Sequence, residues 1–408
     1  KELIEKDSFS FKNFYIKRIK RILPALLFVM LVSIPFSWIY LYPTDLVSFS
    51  KSILYSLGFT SNFYFHFSGL EYGSPEGLLK PFLHTWSLSV EEQYYILFPI
   101  GLVLVFKFLR KHLLYFFLIC FFISLLLADW GSKNYPSATF YFLHTRIWEL
   151  ILGSLLAYYE IKLGHRGQNK ILCQIFPILG LTLIVYSFFS FDGKIFHPSF
   201  YTLIPAIGVS LILWFSYEDN FILKILSYKV FVKIGLISYS LYLWHYPIFS
   251  FANHLEIFFN NNLEKFLLIL VTFILSIFTY YFIEQPARKK VSLKIIISSL
   301  TIIFFIIATY SVTVITMEGF TNRLKVKNYQ KKHTFLYLEQ DNKPCFGRIC
   351  NFGSKEQKII LLGDSHLGSL AYDLYDKTKS DYSFLSITSA GYFHLKNVNQ
   401  INKHSKKI

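Results

Sequence analysis

His84-Thr85-Trp86-Ser87-Leu88-Ser89-Val90-Glu91-Glu92-Gln93-Tyr94-Tyr95 opens straight into the apolar run Tyr94 to Leu109, so a histidine and two carboxylates stand at the mouth of a membrane-type segment. Ionisable groups there are costly without a partner and mark functional positions. Ser89 with Glu92 three residues on has capping-box spacing, which accounts for Glu92 as part of a helix start. Glu91 and His84 have no such account. If helix extends back to His84, their separation of seven puts both on one face two turns apart, suited to gripping one ligand jointly. A structural ion pair with another segment is the alternative reading.

Outward from this stretch the chain reads as membrane. Hydrophobic residues are 53% of 408, aromatics are 20%, and mean hydropathy is +0.42, a composition for lipid-facing helices rather than one soluble core. The net charge of +16 does not point to nucleic acid, because the basic residues cluster in short loops between apolar runs, as membrane orientation requires. Ten runs have span character: Ile22 to Tyr42, Asp45 to Phe65, Tyr94 to Leu109, Leu113 to Ala128, Thr139 to Tyr159, Ile171 to Phe189, Phe200 to Phe215, Val230 to Phe251, Leu263 to Phe282 and Leu293 to Thr316.

Loops at Arg110-Lys111-His112, Lys162 to Lys170, Lys224 to Lys233 and Arg288-Lys289-Lys290 are basic and therefore cytoplasmic, while those around Tyr135, His197 and Asn260 carry little positive charge. Counting from Arg110 and Arg288 puts His84 to Gln93 and Gly363 to His366 outside. Lys17-Arg18-Ile19-Lys20-Arg21 should also be cytoplasmic, so one of the first two runs does not cross. Ser48, Ser50, Lys51, Ser52, Ser56 and Ser61 make Asp45 to Phe65 the more polar, which leaves about nine crossings and one re-entrant or interfacial segment. Residues Lys1 to Phe11 are polar and lack an initiator methionine, so the chain is expected to begin inside a larger protein; no segment resembles a signal peptide.

Behind the membrane region (1–316) come a polar extracytoplasmic linker (317–357) and a tail (358–408). In the tail the apolar run Ile359 to Leu362 ends in Gly363-Asp364-Ser365-His366 and passes into the helix-like stretch Leu367 to Tyr375. That is the strand-to-helix turn on which a nucleophilic serine is exposed, although Asp-Ser is also an ordinary helix cap. Tyr382 to Thr388 is a second strand. Cys120 and Cys173 lie in apolar segments; Cys345 and Cys350 are the pair placed to bridge, in an oxidising compartment, if the chain turns tightly between them.

Other candidates sit within the runs. Arg146 and Glu149, three apart inside a span, can neutralise each other on one helix face. Tyr242 and His245 share a face at the same spacing, with ligand, catalytic and plain core roles all open. Glu284 precedes Pro286 at a cytoplasmic end, a helix stop as readily as a site. Arg18 and Arg21 are topology anchors or, as paired guanidinium groups, binders of a donor's phosphates. No Gly-rich phosphate loop and no metal-ligand spacing is present.

Taken in order, these motifs resemble the acyltransferase 3 family of bacterial membrane O-acyltransferases, in the subgroup fused to an extracytoplasmic SGNH domain. Phe14 to Ala25 is similar to that family's arginine-x-x-arginine segment, met here by Arg18 and Arg21. His84 to Tyr95, Arg146 to Leu150, Ser238 to Pro247 and Ile283 to Arg288 are similar to later signatures, and Gly363-Asp364-Ser365 to the first SGNH block. The resemblance implies an all-α polytopic membrane domain followed by a partial α/β SGNH-like domain, in a bacterial inner membrane with the tail on the periplasmic or extracellular side. It implies an acyl group, usually acetyl, taken from acyl-CoA with no bound cofactor and passed outward, with His84 and Glu91 in the membrane reaction and Ser365 delivering it to a surface glycan hydroxyl. That glycan would be a lipopolysaccharide O-antigen, peptidoglycan or an exopolysaccharide.

The chain departs from the family in having no counterpart of its first two helices, with their arginine and histidine, and no later Asp-x-x-His to partner Ser365. It reads as truncated at both ends, and the fragment alone is not expected to turn over substrate. A transporter or flippase lined by the intramembrane His and Glu residues, and a membrane-anchored SGNH esterase, are the alternatives.

Overall fold

The computed structural model describes residues 8–70, 77–167, 169–192, 195–216, 220–255, 262–289, 291–323, 339–340, 343–344, 349–355, 357–363, 374–375 and 381–388. The chain divides into two compact units, Lys1–Gly319 and Phe320–Ile408.

The first unit is helical, as it must be where lipid offers the backbone no hydrogen bonds. Helix α1 (Phe11–Tyr40) starts where the Ser10 side chain accepts the Asn13 N–H, and α2 (Pro43–Leu57) and α3 (Ser61–Leu70) follow it. The run Asp45 to Phe65 is thus two helices of 15 and 10 residues, bent at Gly58 to Thr60 where Phe59 adopts φ 52°. Ser50, Ser52, Ser56 and Ser61 are buried.

Their partner is α4 (Thr85–Leu109). Ser56 Oγ lies 2.7 Å from Thr85 Oγ1, Thr85 Oγ1 donates to Ser61 Oγ at 3.0 Å, and Ser61 Oγ lies 2.8 Å from Ser89 Oγ. Hydroxyl contacts of this kind hold helices together where the hydrophobic effect cannot. The Ser89–Glu92 capping box is accordingly corrected: the helix has already begun at Thr85, and the Ser89 hydroxyl is committed to Ser61.

Among the described residues five helical stretches are long and apolar enough to cross a membrane: Phe11–Tyr40, Thr85–Asn134, Lys170–Ser190, Asn262–Lys289 and Leu293–Thr316. The second is two helices, α4 and α5 (Leu113–Asn134), joined by a tight turn at Arg110–His112 and folded back so that Phe98 stacks on Phe117 at 6.0 Å. The expected span Thr139 to Tyr159 is not one helix. It is the end of α6 (Pro136–Tyr141), a turn, and α7 (Ile147–Leu163). Thr145 fixes the break by donating to the carbonyls of Thr139 and Phe142, which the end of α6 leaves unpaired.

Helices α8 (Lys170–Ser190) and α9 (Leu203–Phe215) pack backbone to backbone: a Cβ on Gly180 would come within 2.5 Å of the Gly208 carbonyl oxygen. After the short α10 (Phe221–Leu226) come α11 (Lys229–His254) and α12 (Asn262–Thr279). Pro286 does not stop the next helix. A π-turn at Tyr280–Glu284, in which the Gln285 N–H reaches back to Tyr280 O, re-forms the ladder into α13 (Gln285–Lys289). Helix α14 (Leu293–Thr316) ends the unit.

The second unit has strands β1 (Glu339–Gln340) and β2 (Lys343–Pro344) as one pair, and a sheet of β3 (Ile349–Phe352), β4 (Lys358–Gly363) and β5 (Ser383–Thr388) in the order β3-β5-β4. β3 is antiparallel to β5, and β4 is parallel to it with Leu361 opposite Ser386. A parallel pair needs a crossover, and the chain from Gly363 to Ser383 supplies it. Cys350, Leu361 and Phe384 form its core, with Tyr375 packed against them.

Candidate functional site

Three helices converge on the ionisable residues: α1 brings Arg18 and Arg21, α4 brings Glu91, Glu92 and Tyr95, and α11 brings Tyr239, Tyr242 and His245. The Arg18 guanidinium lies 3.2 Å from the Tyr95 ring centroid, and its Nη2 is 3.7 Å from Glu92 Oε1. The two side chains are 16% and 12% exposed, so each charge depends on the other. At that distance they make a charge contact and not a hydrogen bond. Among the described residues Arg18 Nε and Nη2 and Glu92 Oε1 have no hydrogen-bond partner. Arg21, one turn on, is exposed and acts electrostatically on Glu91 and Glu284.

Glu91 is exposed and lies within the electrostatic reach of both arginines and of Tyr242. Glu284 is buried at the end of the π-turn, where Oε1 accepts from Arg288 Nη1 at 3.0 Å and Oε2 from Ser240 Oγ at 3.2 Å. It is a satisfied carboxylate. Tyr239 donates to Ile22 O at 2.9 Å, tying α11 to α1.

Seven residues before Glu91, His84 stands just ahead of α4 and is 5% exposed. The helix does not extend back to His84, which is buried where Glu91 is exposed. Tyr242 Oη donates to the His84 carbonyl at 2.6 Å and lies 2.9 Å from Ser87 Oγ. His245 Nδ1 is 2.7 Å from Tyr242 O. The His84 ring meets His245 edge-on at 5.4 Å between centroids and stacks on Tyr246 at 5.5 Å, and neither His84 nitrogen has a hydrogen-bond partner among the described residues.

Arg146 and Glu149 pair at 3.3 Å, but Arg146 is the residue before α7 rather than inside a span. Its guanidinium packs over Trp86 at 4.9 Å and Phe140 at 5.5 Å. The break fixed by Thr145 moves this pair to a helix start, where a carboxylate in the first turn complements the dipole. Among the described residues no three His, Cys, Asp or Glu side chains gather as metal ligands would.

Asp364, Ser365 and His366 lie outside the described residues, beyond the last residue of β4. Cys350 is buried and disulfide-bonded, Cys120 and Cys173 are free, and Cys345 lies outside the described residues. Sequence reasoning missed that Arg18 answers Glu92, that Tyr95 supplies the ring beneath the guanidinium, and that Ser240 holds Glu284. These contacts join residues 44 to 77 positions apart, and no local spacing signals them.

A helical bundle whose interior pairs arginine with carboxylate beside tyrosine and histidine is the frame of a membrane enzyme rather than of an anchor. The chain matches the acyltransferase 3 model, an acyltransferase domain, over residues 5–283, and it belongs to that family. It is 29% identical over 304 residues to the peptidoglycan O-acetyltransferase OatA of Listeria monocytogenes, aligning 70% of this chain with 47% of that protein. Over 289 residues it is 29% identical to the O-acetyltransferase OatA of Staphylococcus aureus, aligning 68% of this chain with 47% of that protein. The chain spans about half the length of these curated relatives. No solved structure matches it.

Proposed function

We propose that the chain is the membrane part of an O-acetyltransferase that takes acetyl from acyl-CoA at the cytoplasmic face and transfers it to hydroxyls of a cell-wall or other surface polysaccharide. The observation that carries this reading is the cluster on α1 and α4: a buried guanidinium with uncommitted N–H groups, a second arginine beside it, and two carboxylates on the facing helix. Arg18 and Arg21 hold the donor's phosphates by charge-assisted hydrogen bonds. Glu91 lies beside them on the face that leads toward His84. Both act in the membrane half of the reaction.

In this reading about nine helices cross the bilayer, α2 and α3 form a re-entrant hairpin, and His84 and the tail face outward. The tail is the first part of an SGNH domain whose Ser365 is acylated in turn and then yields its ester to the sugar oxygen. The Staphylococcus aureus relative bears only the name O-acetyltransferase, while that of Listeria monocytogenes is named for peptidoglycan, so a cell-wall glycan is the acceptor class we favour.

The test uses the full-length protein in vesicles, with radiolabelled acetyl-CoA inside and extracted peptidoglycan outside. Label should appear in the glycan as an alkali-labile ester. Ser365→Ala should abolish that transfer without changing the amount of folded protein, since an exposed turn serine contributes little to stability. Ester formation without acetyl-CoA consumption would overturn the donor, and retained transfer in Ser365→Ala would remove the serine from the route.

A further inference from the structure

The end of α11 nearest His84 holds more than a packing contact. Tyr242 spends its hydroxyl on the His84 carbonyl, 2.6 Å away, so this phenol is a clamp and not an acid. His245 Nδ1 is 2.7 Å from Tyr242 O and 3.3 Å from Leu241 O, and a carbonyl can only accept, so the proton sits on Nδ1. The lone pair is then on Nε2, and the residue is half-buried rather than closed off. That is an oriented base in the sense familiar from catalytic histidines, with a backbone carbonyl as the orienting group.

Beside it the His84 ring is nine-tenths buried with both nitrogens unpartnered among the described residues, 5.4 Å from His245 between centroids. The rings of Phe82, Tyr242 and Tyr246 enclose it. Among the described residues, His245 is the titratable side chain that acts electrostatically on it. Burial, with His245 adding in the same direction, holds the His84 imidazole well below its ordinary value, so it stays neutral and keeps one N–H to donate. A neutral imidazole of this kind stabilises a carbonyl oxygen by hydrogen bonding without giving up a proton.

Resting on the proposed acetyl transfer, we infer that His84 and His245 form the acceptor site of the membrane domain, taking an uncharged hydroxyl, with His245 Nε2 as its base and the His84 N–H on the acyl oxygen. The hydroxyl oxygen bonds to the acyl carbon as its proton passes to Nε2, and the tetrahedral oxygen accepts from His84. Collapse breaks the carbon–sulfur bond, and the proton on Nε2 goes to the departing thiolate, leaving an ester, a free thiol and a neutral His245. The enclosure of His84 by aromatic rings fits an uncharged hydroxyl and disfavours an ionic ligand. Tyr242 is a positioning residue, holding His84 through its backbone and His245 through its own carbonyl.

The test uses the full-length protein with acetyl-CoA and glycerol as a small hydroxyl acceptor, read as glycerol acetate by mass spectrometry. His245→Gln, which keeps a hydrogen bond but removes the base, should lower kcat by about 10²-fold or more with the acetyl-CoA KM unchanged. His84→Gln, which keeps an N–H donor, should retain at least ten times the rate of His84→Ala. Tyr242→Phe should lower kcat and leave the acid limb of the pH profile where it is in the wild type, as a residue that only positions would.

Glycerol acetylation is read with no glycan present, which separates this step from delivery to glycan. Wild-type transfer to glycerol with an unimpaired His245→Gln would overturn the inference while leaving the acetyltransferase reading intact. If the wild type consumed no acetyl-CoA, the proposed function itself would fail. Should His84→Ala not fold, equal rates for His84→Gln and His84→Phe would still overturn the role of its N–H.

Discussion

Helices α8 and α9 and helices α1, α4 and α11 solve the same problem, packing in a bilayer, by opposite means. The α8–α9 pair has no ionisable side chain at its tightest point: Gly180 and Gly208 each lie against the other's carbonyl oxygen, and apolar residues such as Ile184 and Ile212 fill in around them. Close approach of this sort is driven by van der Waals contact and is insensitive to charge. The α1–α4–α11 group is held by Arg18 over Tyr95, by Tyr239 on Ile22 O and by Tyr242 on His84 O. Polar helices in lipid are retained where their groups do chemistry, and α11, at 26 residues, is long enough to cross yet too polar to count among the five apolar stretches. The residues that make a helix poor as a span are the ones that make it useful.

The largest effect should come from Arg18. Arg18→Ala leaves Glu92 buried without its cation, and removing one partner of such a pair typically costs about 3–5 kcal/mol. Thermal unfolding in detergent should show that loss together with loss of acetyl transfer. The double variant Arg18→Met/Glu92→Leu, which buries no charge, should recover the folded protein but not the activity. Recovery of both would mean that the pair is only a fastening, like the glycines. The conservative variant Arg18→Lys should fold and raise the acetyl-CoA KM, because an ammonium cannot match a phosphate with two parallel N–H groups.

Gly180→Leu probes the other region. The new side chain must displace the Gly208 carbonyl, an overpacking that costs about 1–3 kcal/mol. The yield of folded protein and its unfolding temperature should fall, while acetyl transfer per folded molecule stays at the wild-type rate. A drop in specific activity would show that the two regions are coupled and not independent packing solutions.

The same contrast explains what was legible in the sequence. Helices α1, α8, α12 and α14 were readable because an apolar run of that length has one stable backbone solution in lipid. The segment Asp45 to Phe65 is polar by its serines, and these meet α4 through contacts spanning 24 to 29 residues. Polarity reports that a group needs a partner and is silent on which. The break at Thr145 depends on two side-chain hydrogen bonds to carbonyls, which hydropathy does not register. Of the site, the residue types and the Arg18 and Arg21 pairing were visible. The partnering of Glu92 with Arg18 and the clamp from Tyr242 to His84 arise only when α1, α4 and α11 meet.

Glu284 gives the finest test of the contrast, since it looks like a site residue by burial and like a fastening by its contacts. Its two oxygens are taken by Arg288 at 3.0 Å and Ser240 at 3.2 Å, and Arg288, with a 40% exposed side chain, is solvated without it. Glu284→Gln keeps an acceptor for Ser240 and removes the charge. The stability change should be about 1 kcal/mol, the scale of one exchanged hydrogen bond, because a partly exposed ion pair contributes little. Its removal also relieves Arg21 of one nearby carboxylate, so the acetyl-CoA KM should fall slightly rather than rise. Steady-state kinetics on the full-length variant, with folded protein quantified in parallel, reads both. A loss of kcat beyond tenfold with normal folding would move Glu284 from the fastenings into the reaction, and the division between the two kinds of helix packing would then run through α12 and α13 rather than around them.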